Sequence, residues 1–348
     1  MEKQDVKYLI AYLGPAATVA GLWLGGGWSL GIVYVAFGVI PLLEFVFPQR
    51  TDNAAPDAEN ERSHTRFFDF LLYLHVPILY GILIYAFYLV GNQRLTMFET
   101  FCLVANVGTL VGAFGINVGH ELGHRATAFE QSLSKILLLP ALYQHFFIEH
   151  NRGHHKNVAT DADPASARLN EPLYAFWLRS VRDSYRNAWQ LERERLARAH
   201  EQFFSWKNEM IRFSVYQIGY LAAVGVAYGY PSVFVAVGVA AVGFLLLETV
   251  NYIEHYGLRR KILPNGRPEP VLPQHSWNSN HDIGRIFLYE LTRHSDHHFK
   301  ATRKYQILRH FDESPQLPLG YPMSMLVSLV PPLWFRLMNG RVPIGNLQ

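Results

Sequence analysis

Long uncharged stretches set the polarity pattern of this chain. From Tyr8 to Leu43 there is no Asp, Glu, Lys or Arg, and one helix over that run would be about 54 Å long against a hydrocarbon core of about 30 Å. The run therefore predicts two membrane spans, parted at Gly25-Gly26-Gly27, with Gly14-Pro15 kinking the first. A second pair follows: Phe70 to Gln93 and Thr100 to Gly119 are free of charge, with Arg94 at the turn between them. The third pair is Phe213 to Leu247, broken at Tyr228-Gly229-Tyr230-Pro231. The expectation is an all-α integral membrane protein with six transmembrane helices in three hairpins, over residues 8–24, 28–47, 67–91, 97–119, 212–228 and 231–249. Residues 120–211 and 250–348 are left as helical cytoplasmic segments of a single domain. The first apolar run passes into the second without a small-residue cleavage site, so the first span is expected to be retained.

Composition agrees with the pattern: 50% of the 348 residues are hydrophobic and 17% charged, as suits a membrane protein. The net charge of +3 says little, whereas the placement of the basic residues says more. The turns at Gly25 and Tyr228 carry none and the turn at residue 94 only Arg94, while Lys3, Lys7, Arg50, Arg62, Arg66, Arg125, Lys135 and Arg152 fall on the opposite side. By the positive-inside bias that side is cytoplasmic. No nucleic-acid signature accompanies the charge. The single Cys102 excludes an intramolecular disulfide, a Cys-rich zinc module or an iron–sulfur site within the chain.

On the cytoplasmic side stand three histidine clusters: His120-Glu-Leu-Gly-His124, His150-Asn-Arg-Gly-His154-His155 and His294-Ser-Asp-His297-His298. Span parity brings all eight histidines to one face of the membrane. Imidazole near neutral pH is a ligand for iron, zinc, copper or nickel, so a dense set without thiolates reads as a transition-metal site. Eight ligands exceed what one ion takes, which implies a dinuclear site. If the second cluster is helical, His150 and His154 share a face and one metal, and His155 points elsewhere. His255 at the exit of the last span is a candidate ninth ligand, and residues 274–281 are expected to brace the site. His64, His75, His200 and His310 stand alone and read as structural or solvated; His145, His275 and His281 lie near the clusters without a defined part. Glu121, Glu149, Asp161, Asp163, Glu254 and Asp296 adjoin the histidines and are candidates to orient an imidazole through its second nitrogen, to cap a helix or to pair with Arg.

Two further stretches are informative. Ala175 to Gln202 is helical in pattern and carries Arg179, Arg182, Arg186, Arg193, Arg195 and Arg198 among aromatic and Leu positions, as suits anionic lipid headgroups or an acidic partner. Met325 to Met338 is apolar but broken by Pro331-Pro332, which predicts an interfacial segment rather than a span.

His120-Glu121-x-x-His124 also matches the His-Glu-x-x-His pattern of zinc peptidases, with Glu as base, but an intramembrane peptidase leaves the other clusters unexplained. A metal transporter would place ionisable residues near the bilayer midplane, where these spans have almost none. Redox chemistry on a lipophilic substrate accounts for all the clusters. The strings His-Glu-Leu-Gly-His-Arg, Glu-His-Asn-Arg-Gly-His-His, Asn-Tyr-Ile-Glu-His-Tyr-Gly-Leu and Arg-His-Ser-Asp-His-His, in this order, closely resemble the bacterial membrane alkane 1-monooxygenases. The eight-histidine pattern alone is shared with membrane fatty-acid desaturases, hydroxylases and xylene monooxygenase. The longer strings 157–164, 251–258 and 275–281 resemble the alkane enzymes specifically.

That resemblance implies a non-haem enzyme with two iron ions and dioxygen as co-substrate, which hydroxylates the terminal methyl of a medium-chain n-alkane to a primary alcohol. It implies His120, His124, His150, His154, His155, His255, His294, His297 and His298 as metal ligands. It further implies a bacterial inner membrane with the active site near the cytoplasmic face, and rubredoxin as electron donor, itself reduced by an NADH-dependent reductase. With one cysteine in the chain, a rubredoxin would be a separate protein or a fused domain outside these 348 residues.

Overall fold

A computed structural model describes residues 3–93 and 95–343. Arg94, expected at a turn, lies outside the described residues. Helices carry the whole architecture, and among the described residues strand pairing is confined to three isolated bridges.

Five helices are long and apolar enough to cross a membrane: Gly26–Val46, Arg66–Asn92, Met97–Gly123, Glu209–Tyr228 and Tyr230–His255. Their boundaries follow local chemistry. Gly25 and Gly26 take φ of +70° and +54°, and Gly229 takes +84°, values that suit a residue without Cβ and stop the preceding helix. The glycine breaks at 25–27 and 229 thus fall where the sequence places them. Thr96 and Glu99 form a capping box at the start of Met97–Leu110. The Asn208 side chain accepts the amides of Met210 and Ile211, starting Glu209–Tyr228.

The first apolar segment departs from the expectation of a plain α-helical span. Lys3–Tyr12 is wound as a 3-10 helix and only Leu13–Leu24, twelve residues, is α. Pro15 sits at the start of the α segment and has no amide proton to give back to Ala11. Toward the C-terminus, Pro331 and Pro332 occupy the first turn of a new helix, so the apolar stretch divides into Tyr321–Ser328 and Pro331–Met338, each too short to span.

The chain forms two compact units. The first comprises Met1–Val39, Thr65–Ile148 and Ala188–Leu247. In its core Asn106 accepts the amide of Ile32 and donates to the carbonyl of Thr18, so its one buried amide side chain is spent on two backbone groups. His75 lies stacked between Tyr12 and Phe114, a packing role. Glu121 accepts from Arg125, which also bonds Asp69, closing the helix end that carries His120.

The second unit comprises Ile40–His64, Glu149–Asn187 and Glu248–Gln348. Tyr252, Tyr256, Trp277, Tyr305, Tyr321 and Trp334 are its largest fully buried side chains. Trp334 packs on Tyr252 and Tyr256 with ring centroids 5.7 and 5.5 Å away, and Trp277 donates its indole N–H to the carbonyl of Tyr256. This aromatic block fixes the end of the helix Tyr230–His255, and so fixes Glu254 and His255.

Candidate metal centre

Histidine placement begins with local winding. Residues His150–His154 form a π-helical turn, in which the amide of His155 donates to the carbonyl of His150. A π turn brings residues five apart onto one face, where an α turn would bring those four apart. Accordingly Nε2 of His155 lies 3.0 Å from Nε2 of His150. His154 turns to a different set, with its Nε2 3.2 Å from that of His298. The expectation that His150 and His154 share one metal is therefore corrected: the partner of His150 is His155. The third cluster is an ordinary α-helix, His294–Phe299, and there His294 and His298, four apart, meet with Nε2 atoms 2.9 Å apart.

His255 completes this set, its Nε2 3.1 Å from that of His294. The ligand atoms of His154, His255, His294 and His298 all lie within 4.8 Å of one another, and all four residues are buried. Beside them in the same unit, His150, His155 and His297 likewise bring their ligand atoms within 4.8 Å of one another. Each neighbouring His-His pair, His154-His155 and His297-His298, is thus divided between two donor sets. In the other unit His120 and His124, one α-helical turn apart, stand with ring centroids 4.9 Å from each other.

The donor chemistry fits a metal. Nδ1 of His154 is 2.9 Å from a carboxylate oxygen of Asp163, which places the ring proton on Nδ1 and leaves the Nε2 lone pair facing the other imidazoles. Nε2 of His298 lies within 3.2 Å of the Nε2 atoms of both His154 and His294, a convergence of donor nitrogens that suits a cation between them. Two ligands at about 2.1 Å from one ion, about 90° apart, are themselves about 3 Å apart. Burial disfavours any charged imidazole here. It pushes His298 well below the usual histidine range, and the neighbouring histidines add to the effect. At His154 burial acts the same way, but the charge and hydrogen bond of Asp163 outweigh it and raise the group.

The six adjoining carboxylates separate by what they touch. Asp163 orients His154 and is held in turn by the hydroxyl of Ser166 at 2.6 Å. Glu254 lies with Oε2 3.1 Å from Nε2 of His294, while its Oε1 accepts from the hydroxyl of Tyr321 at 2.9 Å. Glu149 accepts from Asn187 at 3.1 Å and is pushed up to about 8, by burial first and by the charge of Asp163 second. Asp296 accepts two bonds from Arg303 and the amide of Arg309, so it pairs with Arg rather than with a histidine. Asp161 is exposed and 3.3 Å from Arg259. Glu121 pairs with Arg125.

The stretch 274–281 braces the site as expected: Asn278 donates to the Ser295 hydroxyl at 2.6 Å and accepts the Ser295 amide at 2.8 Å, between His294 and Asp296. His275 is bonded to Glu269 and His281 to Ser279 and Gln49, and neither joins a donor set. Ser166 and Tyr321 are the contributors that sequence reasoning missed. Ser166 sits three residues after Asp163 and was open to a turn argument; Tyr321 is 67 positions from Glu254 and carries no local signal.

With this geometry in hand, comparison with known proteins places the chain. Residues 95–326 match the family model for fatty acid desaturases. The chain is 39% identical to the alkane 1-monooxygenase of Pseudomonas putida, covering 97% of this chain and 84% of that protein. It is 40% identical to alkane 1-monooxygenase 1 of Alcanivorax borkumensis, covering 96% and 84%. The xylene/toluene monooxygenase hydroxylase component of Pseudomonas putida is more distant, 26% identical over 94% of this chain and 86% of that protein. The chain belongs to the fatty acid desaturase family, and within it to the alkane 1-monooxygenase family of enzymes.

Proposed function

We propose that this chain is a di-iron monooxygenase that hydroxylates the terminal methyl of a medium-chain n-alkane. The observation that carries the proposal is the division of His154-His155 and of His297-His298 between two donor sets, which calls for two ions rather than one. One ion would be held by His154, His255, His294 and His298 and the second by His150, His155 and His297; the family resemblance counts His120 and His124 as metal ligands too. Bound iron would supply the redox chemistry, in which dioxygen, two electrons and two protons give one oxygen atom to a C–H bond and the other to water.

The chain's own residues prepare that chemistry. Asp163 holds the proton of His154 on Nδ1 and so aims Nε2 inward. Asn278 fixes the backbone beside His294. Burial of His154, His255, His294 and His298 excludes bulk water there, which protects an oxidising centre from side reactions.

Methyl C–H bonds are stronger than methylene ones, so shape must impose terminal selectivity. A narrow channel that admits the alkane end-on accounts for it. A series of size changes at bulky apolar positions of the second to fourth spans is expected to shift the accepted chain length; an unchanged product profile across the series would reject the channel.

The same reading carries six spans, with the helical run Lys3–Leu24 as the first, a bacterial inner membrane, and the site near its cytoplasmic face, supported by the placement of Lys and Arg. Electrons come from reduced rubredoxin, supplied by its NADH-dependent reductase. The zinc-peptidase reading is disfavoured because Glu121, its required base, is paired with Arg125. The test is oxygen-dependent formation of a primary alcohol from octane by purified protein supplied with rubredoxin, reductase and NADH.

A further inference from the structure

We infer that the first unit binds one anionic phospholipid, of the phosphatidylglycerol class, in a groove between the helices Ala128–Leu138 and Glu209–Tyr228. The inference rests on the second of these helices crossing the membrane. It is independent of the metals.

The groove is a cavity of about 670 Å³ whose lining changes character along its length. Lys135 and Leu139 stand one turn apart on one wall, while Glu209, Arg212, Tyr216 and Gly219 follow at three- and four-residue steps along the other. Charge is gathered at one end. Nζ of Lys135 lies 2.6 Å and Nη2 of Arg212 3.1 Å from the same carboxylate oxygen of Glu209. Among the described residues these three are the charged ones in the lining. Two cations against one carboxylate leave one positive charge, and each cation has donors beyond the one it gives to Glu209.

Below that end the walls are apolar and aromatic, with Ile136, Phe213, Val215 and Tyr216. Tyr220 is the last lining residue on its helix, eleven positions after Glu209. Eleven helical steps rise about 16 Å, half of a hydrocarbon core of about 30 Å. The groove thus has the depth of one lipid leaflet, charged at the headgroup level and apolar toward the midplane. Gly219 keeps it open: a Cβ there would meet nothing within 4 Å, whereas one on Gly108 in the same unit would strike Val242.

Complementarity selects the occupant. A phosphodiester brings one negative charge and acceptor oxygens for Lys135 and Arg212, and its acyl chain covers the apolar wall below. A zwitterionic lipid adds a cation of its own to an end that is already positive. The lipid that fits is therefore the singly anionic one.

The experiment is native mass spectrometry of the full chain in detergent, stripped of lipid and titrated with phosphatidylglycerol or with phosphatidylcholine of the same acyl chains. Wild type is expected to bind one phosphatidylglycerol, at least fivefold more tightly than phosphatidylcholine. Arg212→Gln removes one cation and leaves Lys135 paired with Glu209. It is expected to weaken phosphatidylglycerol about five- to tenfold and to erase the preference. Gly219→Trp fills the groove and leaves every charge in place, and it is expected to weaken both lipids at least tenfold. Thermal unfolding of each variant is the control for folding.

Equal affinity of wild type for the two lipids, or wild-type affinity in both variants, overturns the inference. So does displacement of phosphatidylglycerol by inorganic phosphate at equal concentration, which marks an anion site with no part for the acyl chain. Should Arg212→Gln fail to fold, Gly219→Trp decides by the same readout. A chain that stays monodisperse in buffer without detergent rejects the membrane placement itself, and that control tells its failure from failure of this inference.

Discussion

His150 and His155 meet through their Nε2 atoms at 3.0 Å although five positions separate them, because a π turn replaces the α turn between them. The pairing makes a prediction that differs from the α-helical one. In His150→Ala with His155→Ala, both losses fall on one ion, and the protein is expected to retain about one metal. In His150→Ala with His154→Ala, each loss falls on a different ion, and retention is expected to fall below one. Metal analysis of the two double variants decides; equal retention in both would place the histidines otherwise.

Asp163 and Asp296 look alike in the sequence and are expected to behave differently. Asp163→Asn removes the acceptor that orients His154 and is expected to weaken metal affinity by about 10- to 100-fold. Asp296→Asn leaves Arg303 with a neutral partner at a buried position and is expected to destabilise the fold by about 3 kcal/mol, with metal release from the surviving folded protein close to wild type. Thermal unfolding and chelator release, measured on both, separate the two effects. Fast metal release from folded Asp296→Asn would restore a direct role for it.

Glu44 is buried with neither carboxylate oxygen hydrogen-bonded, and it fills the space that a Cβ on Gly284 or Gly320 would need. Gly320→Ala is expected to cost about 1–3 kcal/mol, because the added carbon meets the Glu44 carboxylate and that buried side chain must move. Shortening the clashing side chain in Gly320→Ala with Glu44→Ala is expected to restore part of that loss. A double variant no better than the sum of the singles would disprove the steric coupling.

Much of this arrangement was readable from the chain. Uncharged length gave the apolar helices, and the glycines at 25 and 229 end helices because their positive φ requires it. The three histidine clusters were legible as candidate metal ligands because the pattern repeats three times, and the structure gathers His154, His255, His294 and His298 into one group that could hold an ion. What the sequence withheld was winding. Nothing in His-Asn-Arg-Gly-His-His marks a π turn, since its cause lies in the contacts around it, and so the pairing at His150 was misread. The first apolar segment shows the same limit, because 3-10 and α winding share one apolar composition. Partners remote in sequence were also hidden: Tyr321 reaches Glu254 across 67 positions, and Arg303 claims Asp296 although a histidine stands on either side of it in the chain.

The central claim is a di-iron hydroxylase, and the most direct measurement is metal content of the purified chain paired with octane turnover in the presence of rubredoxin, its reductase and NADH. The account predicts about two irons per chain and oxygen-dependent 1-octanol. One zinc per chain with no oxygen-dependent product would contradict it.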